Sequence, residues 1–124
     1  MAQIIIIDDA ATVRLFYRQV LEGAGFVLDE AINGVEGLEK VLTQRPDMIF
    51  VDVNMPKMDG YAFLDALRRD PEAGGIPAVM ISTEAQPRDA ARAHAAGANF
   101  YLVKPPQPES LVRLAQLLVP GAVS

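Results

Sequence analysis

Apolar residues fall along this chain in two alternating rhythms. Ile4–Ile7 is apolar at every position, as a strand buried on both faces must be, because neither side of its pleat meets water. Val13, Phe16, Tyr17, Val20, Leu21 and Ala24 then recur at i, i+3, i+4, i+7, i+8 and i+11, which predicts one face of an amphipathic helix. Gly25 ends that helix, since glycine sits easily at a helix C-terminus. Phe26–Glu30 mixes polarities and predicts a strand at a sheet edge. Val35, Leu38 and Leu42 mark the inward face of a second helix, stopped by Pro46, and Asp47–Asp52 is a further central strand. A third helix follows Gly60 with Phe63, Leu64 and Leu67 inward, and breaks at Asp70-Pro71 and Gly74-Gly75. Ala78–Ile81 is the fourth strand, Pro87–Ala96 an alanine-rich helix and Phe100–Val103 the fifth strand. The last helix turns Leu111, Leu114, Ala115 and Leu118 inward, with Pro108 in its first turn, where a missing N–H costs little. Strands followed regularly by helices predict an α/β fold, a parallel sheet with helices on both faces.

That topology gathers chemistry. The first strand runs into Asp8-Asp9, the third into Asp52, the fourth into Ser82 and the fifth into Lys104. In a parallel sheet the C-terminal strand ends share one edge, where open α/β folds place their ligands. Taken singly these residues are ordinary: Asp8 or Asp9 as a helix cap, Asp52 as a turn residue, Ser82 as a hydroxyl bonded to backbone, Lys104 as a surface charge. Together they are not, because three acids at one edge repel each other unless a cation sits among them. Mg²⁺, a hard cation with oxygen ligands, meets that need, and the Lys and Ser donors beside it suit a phosphoryl group.

Composition narrows the class. The chain has 124 residues, no cysteine and a net charge of −5. Its length fits one domain, disulfides and thiolate metal sites are excluded, and the acidic balance disfavours a nucleic-acid surface. No apolar run approaches the roughly 20 residues of a membrane span, and the N-terminus has no secretory pattern, so a cytoplasmic protein is expected. After Leu118 only six residues remain, too few for an output module, so residues 1–124 are expected to be a single domain.

Asp8-Asp9 after an apolar strand, the run Asp52-Val53-Asn54-Met55-Pro56-Lys57-Met58-Asp59-Gly60, Ser82 after the fourth strand and Lys104-Pro105 after the fifth resemble the response-regulator receiver domains of bacterial two-component systems. The likeness covers essentially the whole chain, in order. It implies a doubly wound (βα)5 flavodoxin/CheY-like fold with strand order 2-1-3-4-5. It implies that Asp52 accepts a phosphoryl group from a sensor histidine kinase or a histidine phosphotransfer protein. Asp9, Asp52 and the backbone carbonyl of Asn54 would bind Mg²⁺, with Mn²⁺ able to substitute, and Asp8 would act through a water. Lys104 and Ser82 would hold phosphoryl oxygens, and Tyr101 would be the aromatic switch that turns inward as Ser82 moves. Asn54 and Glu84 would tune how fast water removes the phosphoryl group. The Lys104-Pro105 bond is expected cis.

Departures from the family pattern are Ala10 and Ala11 after the acidic pair, Pro106 where the family often has Phe, and a fourth helix of alanines and charges. His94, the only histidine, lies inside that helix and has no phosphotransfer motif around it. The likeness is greatest to stand-alone, CheY-like receivers, which act as switches and not as enzymes. A monomer signalling through the face of its fourth helix, fifth strand and fifth helix, in chemotaxis-type signalling, is the leading expectation. A phosphorelay intermediate or phosphate sink is the alternative. A Mg²⁺-dependent phosphatase of the haloacid-dehalogenase type is remote, because those enzymes place a second Asp where Asn54 stands. A dinucleotide site is disfavoured by the glycine-free first loop.

Overall fold

The computed structural model describes residues 2–119. The expectation of a single domain with nothing after it turns partly on residues 120–124, which lie outside the described residues. Five strands alternate with five helices: β1 (Gln3–Ile7), α1 (Ala11–Gly23), β2 (Val27–Ala31), α2 (Gly34–Gln44), β3 (Met48–Asp52), α3 (Gly60–Arg69), β4 (Ala78–Ser82), α4 (Pro87–Ala96), β5 (Phe100–Val103) and α5 (Pro108–Leu118). The strands form one parallel sheet in the order β2-β1-β3-β4-β5, the expected doubly wound α/β architecture. The fourth helix begins and ends where its sequence pattern predicts, and Lys104-Pro105 is cis.

Successive strand residues face opposite sides of the sheet, so the continuous apolar runs divide between two cores. Ile5, Ile7, Val51 and Met80 pack on one side with Phe63, Leu64 and Leu67 of α3. Ile4, Ile6, Phe50 and Ile81 pack on the other with Tyr17 and Leu21 of α1 and Leu111 and Ala115 of α5. The edge strands are less enclosed, and Phe100 and Val103 of β5 are 39% and 42% exposed.

Two helix faces differ from their predicted form. In α2 it is Val41, Gly34 and Gly37 that are buried, while Val35 and Leu42 are exposed and Leu38 is half-buried. At the two glycines the helix lies too close to β1 and to the loop before α3 for a side chain. A Cβ on Gly37 would stand 2.5 Å from Ile7 Cδ1, and one on Gly34 would stand 2.3 Å from the Met58 carbonyl oxygen. In α1 only Tyr17 and Leu21 are buried, Val13 and Val20 flank them, and Phe16 and Ala24 face outward.

Candidate functional site

Four strand ends deliver the site. One carboxylate oxygen from each of Asp8, Asp9 and Asp52 lies within 4.8 Å of the others. Asp8 and Asp52 are buried, at 1% and 7% exposure, whereas Asp9 is exposed. Lys104 reaches across β3 and β4 to both buried acids: its Nζ is 2.9 Å from Asp52 Oδ1 and 3.0 Å from Asp8 Oδ2. For the three acids and Lys104, the topological convergence expected from the strand ends is therefore a real set of contacts.

Local geometry fixes Asp8. Its Oδ1 accepts the Ala10 N–H at 2.9 Å, and its main-chain oxygen accepts from Arg14 Nη1 at 2.7 Å. Arg14 is held in turn by Glu30 of β2 at 2.7 Å. Neither Asp8 nor Asp9 is the N-cap of α1, which is Ala10 without a side-chain cap. Around Ser82, the buried Oγ accepts the Glu84 N–H at 3.1 Å, and the Glu84 carbonyl accepts from the Tyr101 hydroxyl at 2.6 Å. Ser82, Glu84 and Tyr101 thus form one continuous chain of contacts beside the acids. Asn54 is exposed in the loop after β3. His94 is elsewhere, in the last turn of α4 with Nδ1 3.0 Å from the Ala98 carbonyl.

Gly60 sets how closely α3 approaches Asp52. Its N–H donates to the Val53 carbonyl at 2.8 Å, and a Cβ there would stand 2.5 Å from the Asp52 carbonyl oxygen and 3.0 Å from Val53 Cα. Those neighbours are backbone and cannot rotate away. Gly60→Ala is accordingly expected to lose about 2 kcal/mol of stability, the scale of overpacking a close-packed contact. Urea unfolding of the two proteins measures it, and equal midpoints would show that the loop gives way without cost.

The site carries more negative than positive charge, and its proton affinities follow. Burial pushes Asp52 above the ordinary carboxylate range; the Lys104 bond counteracts this, while the Asp8 and Asp9 charges reinforce it. Burial alone would lower the Lys104 ammonium, but its bonds with Asp52 and Asp8 outweigh that and raise it. Lys104 therefore stays charged while neutralising only part of the cluster. The remaining negative charge and the all-oxygen donor set fit a hard divalent cation.

Two features were not foreseen as part of the site. One is the Arg14 bond to Asp8, for which an arginine one turn past the acids was the only signal. The other is a cavity of about 390 Å³ beside Lys104, lined by Val13, Phe16, Tyr17, Pro105 and Pro106 among others. Tyr17, one of the residues that line it, carries a hydroxyl that is fully buried without a hydrogen-bond partner.

Strand order, the three acids and the lysine that crosses to them define a doubly wound α/β domain with an acidic site at the C-terminal edge of its sheet. The family model for the response regulator receiver domain matches residues 4–116, and the chain belongs to that family. Protein PilH of Pseudomonas aeruginosa is 31% identical over 121 residues, which cover 98% of this chain and 100% of PilH. The DNA-binding dual master transcriptional regulator RpaA of Synechocystis is 32% identical over 119 residues, 96% of this chain but 49% of RpaA, so the chain spans about half of that relative. Among solved structures, Vibrio cholerae chemotaxis protein CheY4 superposes with a TM-score of 0.88 at 36% identity, covering 95% of this chain and 98% of that one. Among the described residues no helix is long and apolar enough to cross a membrane.

Proposed function

We propose that this chain is a phosphorylation-driven switch in which Asp52 accepts a phosphoryl group and the altered surface is read by another protein. The observation that carries the reading is the Lys104 ammonium bonded to both Asp8 and Asp52 at an edge where three carboxylates converge. An Asp52 oxygen attacks the phosphorus of a partner's phosphohistidine, the P–N bond breaks, and the imidazole leaves. The donor is a sensor histidine kinase or a phosphotransfer protein; a small acyl phosphate serves in the same way, with its carboxylate leaving. Asp9, Asp52 and the Asn54 carbonyl would hold Mg²⁺ (or Mn²⁺), with Asp8 acting through a water, and the ion would offset charge on the phosphoryl oxygens.

Lys104 then turns from the carboxylates to a phosphoryl oxygen, and the Ser82 hydroxyl takes another. Movement of Ser82 pulls on the Glu84 segment, to which Tyr101 is bonded, and so carries the change to β5. Asn54 and Glu84 border the approach of water and set the lifetime of the aspartyl phosphate. The face of α4, β5 and α5 is the output surface, in a cytoplasmic, monomeric protein without catalytic turnover on other substrates. The similarity to the chemotaxis protein CheY4 favours chemotaxis-type signalling.

Acetyl phosphate with Mg²⁺ is expected to add one phosphoryl group to the protein, and none to Asp52→Asn. Intact-mass spectrometry at neutral pH reads the addition. An Asp52→Asn protein that still gains the mass would sink the assignment.

A further inference from the structure

Both main-chain polar groups of Asp8 are held from the edge strand β2. Its N–H donates to the Ala31 carbonyl at 3.1 Å, just past the β1–β2 pairing that ends at Ile7 and Ala31. Its carbonyl accepts from Arg14 Nη1 at 2.7 Å, and Arg14 Nε is held at 2.7 Å by Glu30, the strand neighbour of Ala31. Arg14 returns to the same turn through its backbone, whose N–H donates to the Ala10 carbonyl at 3.1 Å. Its side chain is only 14% exposed, set between α1, β2 and the acidic turn. An exposed ion pair has a loose geometry and contributes little, whereas a guanidinium this enclosed, forked to a carboxylate and a carbonyl, has a fixed aim.

The Asp8 carbonyl matters because it lies in the peptide plane that joins Asp8 to Asp9. A peptide is rigid and planar, so a bond that fixes its oxygen also limits how the following residue turns. The Asp8 carboxylate has its own fixings, the Ala10 N–H on Oδ1 and Lys104 on Oδ2. Asp9 is exposed, so the direction of its carboxylate depends on the backbone more than on packing. Resting on the phosphoacceptor reading above, we propose that Arg14, aimed by Glu30, is a positioning residue. It holds the Asp8–Asp9 peptide so that Asp9 faces the metal position it shares with Asp52. Arg14 acts on the main chain and Glu30 acts through Arg14; neither is a metal ligand. The edge strand thereby takes part in metal binding at one remove.

Calorimetric titration with Mg²⁺ alone, below the melting temperature of every variant, is the measurement. Arg14→Lys keeps the charge and most of the stem but cannot reach two acceptors together as a planar fork does. Its Mg²⁺ dissociation constant should rise about tenfold, the usual cost of losing a partner that stands behind a metal ligand. Glu30→Ala should raise it by a similar factor. Arg18 supplies the control, since its Nε bonds the other oxygen of Glu30 at 2.7 Å and its Nη1 bonds Glu22 at 2.7 Å. Arg18→Met loosens α1 from β2 while Arg14 keeps its hold on Asp8, and should bind Mg²⁺ as the wild type does. Wild-type affinity in either Arg14→Lys or Glu30→Ala would overturn the proposal. An equal loss in Arg18→Met would overturn it as well, because the ion pairs would then serve only to fasten α1. In both cases the Mg²⁺ bound by the wild type would leave the phosphoacceptor reading standing. A wild type that takes up no Mg²⁺ would overturn that reading and this inference with it.

Discussion

Lys104→Met should lower the melting temperature by about 10 °C at pH 7, corresponding to about 3 kcal/mol, and by much less near pH 4. The ammonium lies between two buried carboxylates, 2.9 Å from Asp52 and 3.0 Å from Asp8, and methionine fills similar space without the charge. What remains is a pair of buried acids beside the exposed Asp9, with no cation among them. Asp52, which burial already holds above the ordinary range, must then rise further. A carboxylate whose folded pKa exceeds its unfolded value of about 3.9 binds protons better in the folded state. Folding is therefore favoured below that unfolded value, and the advantage is lost as pH rises through the folded pKa. The deficit of the variant against the wild type must widen from acid towards neutral pH. Millimolar Mg²⁺ should close part of the gap at pH 7 by restoring positive charge to the same oxygens. Melting curves from pH 4 to 8 measure all of this. A deficit of the same size at every pH would mean that lysine acts there through its stem and not its charge.

The same charge logic marks how far the sequence could be read. Ile4–Ile7, Met48–Val51 and Ala78–Ile81 announce themselves because parallel strands buried on both faces leave no position for a polar residue, so the strands and their order of appearance are legible. The acids, Ser82 and Lys104 could be brought together because each ends a strand, and topology alone then places them on one edge. Face assignments within helices were less legible. The inward side of α2 joins Val41 with Gly34 and Gly37, which carry no hydrophobic signal, and the role of the glycines is visible only through what a Cβ would strike in Met58 and Ile7. Tyr17 was legible as a core position but not as the bearer of a buried hydroxyl without a partner. Helical spacing reports which way a side chain points, and says nothing of what waits at the end of a long one.

Stability of the helical layer over α3 and α4 rests on a different charge, Arg68, and its loss should cost about 3 kcal/mol without disabling the acidic edge. Arg68 stands in the last turn of α3. Its Nε and Nη2 donate to the Gly97 carbonyl at 2.9 and 2.6 Å, and its Nη1 donates to Gly74 and Ile76 at 3.0 and 2.6 Å. A longer bond of 3.1 Å reaches Asn99 Oδ1, which also accepts the Ala78 N–H at the start of β4. One guanidinium thus ties the end of α3, the loop into β4 and the C-terminus of α4. The Gly97 carbonyl lies where the dipole of α4 is negative, a favourable place for a cation. Burial lowers the pKa of Arg68, yet its charge is met by carbonyls. Gly97 leaves space for the arrangement: its φ is +113°, and a Cβ there would strike Arg68 Cγ at 2.7 Å. Arg68→Ala strips donors from three carbonyls at once. Arg68→Lys should recover less than half of the loss, because a single ammonium cannot span acceptors that a planar fork reaches together. These contacts lie at the N-terminal end of β4, whereas Asp52 and Ser82 lie at the C-terminal ends of their strands. Labelling of Asp52 by acetyl phosphate, measured well below the melting temperature, should therefore keep its wild-type rate in Arg68→Ala. Faster hydrogen exchange should appear first at the Ala98 and Asn99 amides, which bond to Ala93 and Ala78. A variant that exchanges no faster there would show that α4 is held by its apolar contacts alone.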